Sequence, residues 1–515
     1  LENSSLFSVY RSLLAAVSKL MFSLTLSHIL QLWHNRAMRR RDFLRSAVGG
    51  ALLARVAGAQ TGAKPFLKFP KGFRWGTATA AYQIEGAVAA DGRGASIWDT
   101  FCRQPGKIHN GETGDAACDH YHRWAADVEL MKRLNANSYR FSVAWPRVVP
   151  DGRGALNQKG LDFYERLTDA LLKRGVEPFL TLYHWDLPQK LQDEGGWTNR
   201  ATADAFAVYA EAVARRLGDR VRHWITQNEP LATTFLGHVL GLHAPGARDL
   251  AAALKVSHHL LLSHGRGVQA IRAHVKRAQV GIVNVNLHVE AATDKPEDVA
   301  AAKRYDSMVT RWFHDPLYKG AYPPDAVENY EKLFRRKDLL PIEAGDMKTI
   351  AAPTDFLGVN YYTRNRVGAG LEPPAGTRRE PPVGTPTAMG WEVYPPGLYE
   401  VLKRLHRDYA PPAVYVTENG AAYQDTLTRD SRVLDPQRQT YLREHFMQAH
   451  RALTEGVPLK GYFVWSLLDN FEWAEGYDKR FGLVYVDFPT QRRIVKQSGA
   501  WFAQVAKNNG LKALP

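Results

Sequence analysis

From residue 69 onward, short β-rich runs alternate with longer helical stretches. The short runs are 73–79, 138–143 (SYRFSV), 177–183 (EPFLTLY), 223–226 (HWIT), 279–287 (QVGIVNVNL), 356–361 (FLGVNY), 413–417 (AVYVT) and 460–466 (KGYFVWS). Between them, 121–134, 160–174, 203–217, 250–275, 396–409 and 435–454 read as helices. Several of these stop at a glycine, as at Gly175, Gly218 and Gly456, the usual signal for a helix end. Eight β/α alternations predict an α/β fold, a (β/α)8 TIM barrel with long β-to-α loops, forming a single domain over 69–510. A doubly wound open sheet is the competing arrangement, weakened because no nucleotide fingerprint follows the first run. The Pro/Gly/Thr-rich stretch 372–386 falls inside one β-to-α connection and reads as a loop of the active face rather than a domain boundary.

Composition narrows the class. The 515 residues are 45% hydrophobic, 23% charged and 11% aromatic, which excludes disordered, collagen-like and coiled-coil chains. Two cysteines exclude a disulfide-stapled scaffold and a four-thiolate zinc site. Cys102 and Cys118 read as free thiols, with a bridge as the alternative if the protein is exported. No run of 18 apolar residues occurs, so no membrane span is expected. Of the formal net charge of +15, residues 1–63 supply +6. The remaining basic residues are scattered among acidic ones and form no stripe, so no nucleic-acid partner is expected.

The amino-terminal region has its own grammar. Arg39-Arg40-Arg41-Asp42-Phe43-Leu44-Arg45 precedes a modest apolar stretch and the small-x-small pattern Ala57-Gly58-Ala59. The arrangement resembles a twin-arginine export signal over 38–59, followed by a short leader at 60–68. Arg55 inside the apolar stretch is a departure from that pattern. Export to the periplasm is the expectation, and a cytoplasmic location follows if the signal does not function. Residues 1–37 read as upstream or appended sequence.

Cofactor chemistry finds little support. There is no G-x-x-x-x-G-K-[ST] loop, and Gly265-Arg266-Gly267-Val268-Gln269-Ala270 follows a helix rather than a strand. His258, His259 and His264 share that helix with no carboxylate partner in the local sequence, so they read as core and surface histidines rather than metal ligands. Neither a metal nor a cofactor is expected.

The ends of the β runs are different. In a barrel, catalytic groups sit where strands end and β-to-α loops begin. Those ends carry Gln83 and Glu85, Arg140, His184-Trp185-Asp186, Asn228-Glu229-Pro230, Asn360-Tyr361-Tyr362, Thr417-Glu418-Asn419-Gly420, and Trp465-Ser466 leading to Glu472-Trp473. Amides and acids suit sugar hydroxyls, and indole faces suit the apolar side of a pyranose ring. Two glutamates, Glu229 and Glu418, stand directly after runs, and glycosidic cleavage needs two carboxyls flanking one bond.

With those motifs, and with His184-Trp185-Asp186-Leu187-Pro188, Asn360-Tyr361-Tyr362-Thr363, Met389-Gly390-Trp391-Glu392-Val393-Tyr394-Pro395 and the 465–473 segment in order, the chain resembles glycoside hydrolase family 1, the β-glucosidase family. The resemblance implies a retaining β-glycosidase acting on a small β-glycoside or oligosaccharide. Glu418 would be the nucleophile and Glu229 the acid/base. Arg140 and Tyr362 would support Glu418, whose charge would raise the pKa of Glu229. Asn228 would bond the sugar 2-hydroxyl. Gln83, His184, Trp185, Asn360, Trp465, Glu472 and Trp473 would form the glycone shell, and Trp391 would cover the leaving-group side. A binding protein on a dead barrel would lack one carboxylate. A thioglucosidase of this family would carry glutamine at 229, and a transglycosidase would have the same residues. A β-glucosidase releasing terminal β-D-glucosyl residues is the first reading, and the shell itself leaves gluco, galacto and fuco preference open. Glu472, with Phe481 where a phosphate-gripping tyrosine would stand, implies a substrate without a 6-phosphate, against which Lys479 is the one contrary residue.

Overall fold

The computed structural model describes residues 65–372 and 374–513. Eight strands form a closed, all-parallel barrel: β1 (Arg74–Ala78), β2 (Ser138–Ser142), β3 (Glu177–Tyr183), β4 (His223–Asn228), β5 (Gln279–Val285), β6 (Phe356–Asn360), β7 (Val414–Asn419) and β8 (Leu459–Trp465). Each pairs with its sequence neighbours, and β8 closes on β1 through Gly461–Arg74 to Trp465–Ala78. The predicted barrel is therefore present. Its helices include α1 (His120–Arg133), α2 (Gln158–Lys173), α3 (Ala201–Leu217), α4 (Leu250–His274), α5 (Pro296–Tyr305), α6 (Pro324–Phe334), α7 (Pro395–Tyr409), α8 (Pro436–Thr454) and α9 (Gln497–Asn508). Six of these match the expected stretches to within two residues at each end.

Local chemistry explains the elements. In α2, Leu161, Tyr164, Leu167, Thr168 and Leu171 are buried, the i, i+3, i+4 spacing that puts one stripe against the barrel. Pro395 and Pro436 open α7 and α8, where a missing N–H costs nothing and the fixed φ favours the first turn. Every residue of β2, β4, β6 and β7 is buried, as expected of parallel strands covered on both faces. Inside, Phe179, His223, Phe356, Tyr415 and Phe463 stack with centroids 4.0–6.5 Å apart, a filled layer rather than a channel. Gly76 makes room for it, since a Cβ there would meet the Phe463 ring at 2.3 Å.

One region fills in the sequence reading and one departs from it. The chain between β5 and β6, expected to be helical by the alternation but given no bounds, contains α5 and α6. The long β6-to-α7 connection is not all loop: Arg364–Glu372 pairs in parallel with His288–Ala291 and antiparallel with Thr377–Arg379, a three-stranded sheet on the barrel rim. Short edge strands of this kind lack the apolar alternation that would betray them. Cys102 and Cys118 are buried and unpaired. Among the described residues no helix is long and apolar enough to cross a membrane. The proposed signal, leader start and upstream segment, 1–64, lie outside the described residues.

Candidate active site

Asn228 ends β4, and the chain turns sharply at Glu229, whose φ is +47°. A non-glycine residue held there costs about 1–3 kcal/mol, a cost typically met at functional sites. Pro230 then opens a short helix. The turn leaves the Glu229 carboxyl buried, with Asn360 Nδ2 donating to its Oε1 at 2.6 Å. Asn360, the last residue of β6, is itself oriented by Thr417 Oγ1, which donates to its Oδ1 at 2.8 Å.

Glu418 differs slightly from the sequence expectation. It lies within β7, one residue before its end, rather than after the strand. Both of its oxygens are engaged. Arg140 Nη1 donates to Oε1, and the Tyr362 hydroxyl donates to Oε2 at 2.6 Å. Arg140 is fully buried in the barrel and its Nη2 also donates to Asn228 Oδ1 at 2.6 Å. It therefore ties β2 to β4 and β7 through the two motifs that carry the glutamates. A guanidinium and a hydroxyl are the donors that suit an anionic carboxylate.

The two glutamates have opposite surroundings. Burial, followed by the charge of Glu418, pushes Glu229 up to about 8, and the Asn360 hydrogen bond and the Arg140 charge only partly offset this. The order of causes corrects the expectation from sequence, which rested on the Glu418 charge alone: removal from water is the larger effect. Burial, then the Arg140 charge, keeps His184 neutral. Its Nε2 lies 3.0 Å from Asn228 Nδ2. Because Asn228 Oδ1 already accepts from Arg140 and from Asn360 at 3.2 Å, Nδ2 is the donor and His184 carries its proton on Nδ1. The second N–H of Asn228 is left for a ligand hydroxyl.

The remaining predicted residues join the same cluster. Gln83 Nε2 donates to Asn470 Oδ1 at 3.0 Å, Phe471 O at 2.9 Å and Glu472 Oε2 at 3.3 Å. Trp473 packs against Trp185 at 4.7 Å and His184 at 6.0 Å, and His184 stacks on Trp465 at 5.9 Å. Trp185 Nε1 donates to Asn228 O at 2.9 Å. Trp391 stands 5.3 Å from the Tyr362 ring. All the residues singled out from sequence thus form one contiguous set at the carboxyl ends of the strands.

Sequence reasoning passed over several neighbours. Thr417 orients Asn360, Asn470 holds Gln83, and Trp98 and Tyr82 back Trp473 at 4.5 and 6.3 Å. Thr417 and Asn470 lie inside the motifs. Tyr82 stands beside Gln83 at the end of the first run, and Trp98 carries no positional signal of its own. His258 also gains a carboxylate that the local sequence did not supply: Asp346, 2.9 Å away from a segment 88 residues on. No group of three metal-binding side chains occurs among the described residues.

Two features bear on substrate charge. Burial, then the Glu418 charge, pushes Glu472 up to about 8. Near neutrality it holds its proton and can donate as well as accept, so the repulsion of a phosphate expected from its charge is reduced. Lys479, the contrary residue, is taken up by Asp478 at 2.5 Å and Glu475 at 3.6 Å. Phe481 faces Tyr362 and Trp391, both at 6.2 Å. Lys479 is thus already paired, and position 481 offers no hydroxyl.

Comparison with known proteins gives one family. The profile for "Glycosyl hydrolase family 1" matches residues 67–511. β-Glucosidase A of Thermotoga maritima is 51% identical over 450 residues, which is 86% of this chain and 99% of that protein. The solved family 1 β-glucosidase of Thermotoga maritima superposes with a TM-score of 0.84 at 50% identity, covering 87% of this chain and 100% of that one. A β-glucosidase of the same organism in complex with glucoimidazole gives 0.83 at 50% identity, covering 86% and 100%.

Proposed function

The chain belongs to glycosyl hydrolase family 1, and from that premise we propose that it is a β-glucosidase that releases terminal β-D-glucosyl units by double displacement. Glu418 acts as nucleophile and Glu229 as acid/base. The observation that carries these roles is the contrast between the two carboxyls. Arg140 and Tyr362 both donate to Glu418, whereas Glu229, also buried, accepts from the neutral Asn360 amide and is pushed up to about 8. Two carboxyls whose surroundings differ in this way suit an acid and a nucleophile.

The chemistry follows from those positions. Glu418 attacks the anomeric carbon as the bond to the glycosidic oxygen breaks, and Glu229 gives its proton to that oxygen. The aglycone leaves and a glycosyl ester forms on Glu418. Its charge is now gone, so one of the two forces raising Glu229 is removed and the Glu229 carboxylate is a competent base. It takes a proton from water as the water attacks the anomeric carbon, which frees Glu418 and restores protonated Glu229. Asn228, with one amide N–H free, is placed to hold the 2-hydroxyl, a contact that strengthens in an oxocarbenium-like transition state. Gln83 and Glu472 offer donors and acceptors to hydroxyls farther round the ring, and Trp465 and Trp473 cover its apolar face. The glucoimidazole-bound relative supports a glucose-shaped glycone, and a small β-glucoside or a cello-oligosaccharide fits that reading.

Two inversions restore the original configuration, so the first sugar released from an aryl β-glucoside is expected to be the β-anomer. Proton NMR within the first minutes of reaction reads this directly. Initial appearance of the α-anomer would refute the mechanism. Export is a separate proposal, supported by the arginine pair and by Ala57-Gly58-Ala59. Protein isolated from its native host should begin near Gln60 by intact mass, and a mature chain still containing Arg40 and Arg41 would reject processing.

A further inference from the structure

The barrel rim holds a charge cluster that the reaction does not use. Arg364 begins the central strand of the rim sheet, and Glu290 stands on the strand beside it. Arg364 Nη1 donates to Glu290 Oε2 at 2.8 Å, and its Nη2 donates to Glu392 Oε1 at 2.7 Å. The guanidinium also lies over the Tyr394 ring, 3.8 Å from its centroid. His288 stacks on the same ring at 5.8 Å and bonds Glu290 at 2.8 Å. The side chains of Arg364 and Glu392 are 13% and 8% exposed. Water therefore cannot readily replace either partner, and removing one leaves the other charge covered and uncompensated.

The cluster holds residues next to Trp391 in the chain. Residues 391–394 read Trp-Glu-Val-Tyr, and Arg364 grips the second and the fourth of them. The backbone is held at the same points. Thr363 Oγ1 donates to Glu392 O at 2.9 Å, the Tyr361 hydroxyl donates to Tyr394 O at 2.7 Å, and Thr387 N donates to Trp391 O at 2.9 Å. Arg364 is too covered to meet a ligand itself. A planar fork that bridges two carboxylates while stacking on a ring is a geometry that lysine cannot reproduce.

We propose that Arg364 is a positioning residue: by gripping Glu392 and Tyr394 it fixes the Trp391 indole, and so it sets affinity for the leaving group and for any acceptor that replaces water. The inference rests on the placement of Trp391 at the leaving-group side. Double displacement supplies a discriminating readout. With a 2,4-dinitrophenyl β-glucoside, departure is fast and breakdown of the glycosyl ester limits kcat, a step from which the aglycone is already gone. A fault confined to the Trp391 platform therefore spares that kcat while lowering kcat/KM and weakening acceptors.

The test compares Arg364→Met, Arg364→Lys, Glu392→Gln and Trp391→Ala with the unaltered full chain, alongside Tm. Arg364→Met should lower kcat/KM on aryl β-glucosides and raise the half-saturating concentration of a cellobiose acceptor, each by on the order of tenfold. Its kcat on the dinitrophenyl substrate should stay within about twofold. Arg364→Lys should fall between, and Trp391→Ala should show the same split more strongly. Glu392→Gln keeps the shape and loses one charge, so it carries the comparison should Arg364→Met fold poorly. Equal loss of kcat and kcat/KM on every substrate, or unchanged acceptor affinity, would overturn the positioning role. Absence of the split in Trp391→Ala would instead overturn the placement of Trp391, and the two failures are thereby told apart.

Discussion

Replacing Glu418 with alanine is expected to lower turnover of an aryl β-glucoside by on the order of 10⁵-fold, the scale reached when a covalent nucleophile is removed. The fold should survive better than the activity, because the substitution also relieves the site of a buried charge that raises Glu229 and Glu472. Arg140 loses its ion-pair partner but keeps Asn228 Oδ1 and Thr181 Oγ1 as acceptors. The space left between Arg140 and Tyr362 is lined by two donors and open to a small anion. Added azide should enter it, attack the anomeric carbon in place of the carboxylate, and leave α-glucosyl azide as the stable product, since only one inversion has then occurred. Rescue that depends on azide concentration and gives the α-product, identified by NMR, is the expected result. A β-configured azide, or full activity without azide, would remove Glu418 from the nucleophile's place.

Replacing Glu229 with alanine should divide substrates by leaving group. A dinitrophenyl group departs without a proton, so its release should change little, whereas an alkyl or sugar leaving group should slow by about 10²–10⁴-fold, the usual worth of general acid catalysis. The pH profile gives an independent check. Glu229 is pushed up to about 8, and the acid must hold its proton for the first step. For the unaltered protein, kcat/KM on a poor leaving group should therefore be retained below that value and fall as pH rises through it. In Glu229→Ala the residual kcat/KM on that same poor leaving group should lose this basic limb. An equal loss on activated and unactivated substrates, with the limb unchanged, would contradict the assignment. The coupling also predicts that trapping the glycosyl ester moves the titration of Glu229 down, since the Glu418 charge is then neutralised.

The order of the elements was legible because strand and helix each have a local period. Runs of β-rich residues separated by helical stretches report themselves within a dozen positions, and eight of them in alternation leave few folds to choose between. The strand-end motifs were legible for a related reason: a barrel places the end of every strand on one face, so position in the alternation already says which side a residue is on. Asn228-Glu229-Pro230 and Thr417-Glu418-Asn419 could be set on the same face before any coordinate was known.

Periodicity did not reach pairs distant along the chain. Arg140 and Glu418 are 278 positions apart, and only the family resemblance linked them before closure of the barrel brought them together. Asp346 beside His258, and the rim strands that bring Glu290 to Arg364 and Glu392, lacked even that link. The sequence alone placed the two glutamates and the fold that presents them. Only the tertiary structure decided what chiefly raises Glu229, because burial is a property of the assembled barrel and outweighs the neighbouring charge that the motifs suggest.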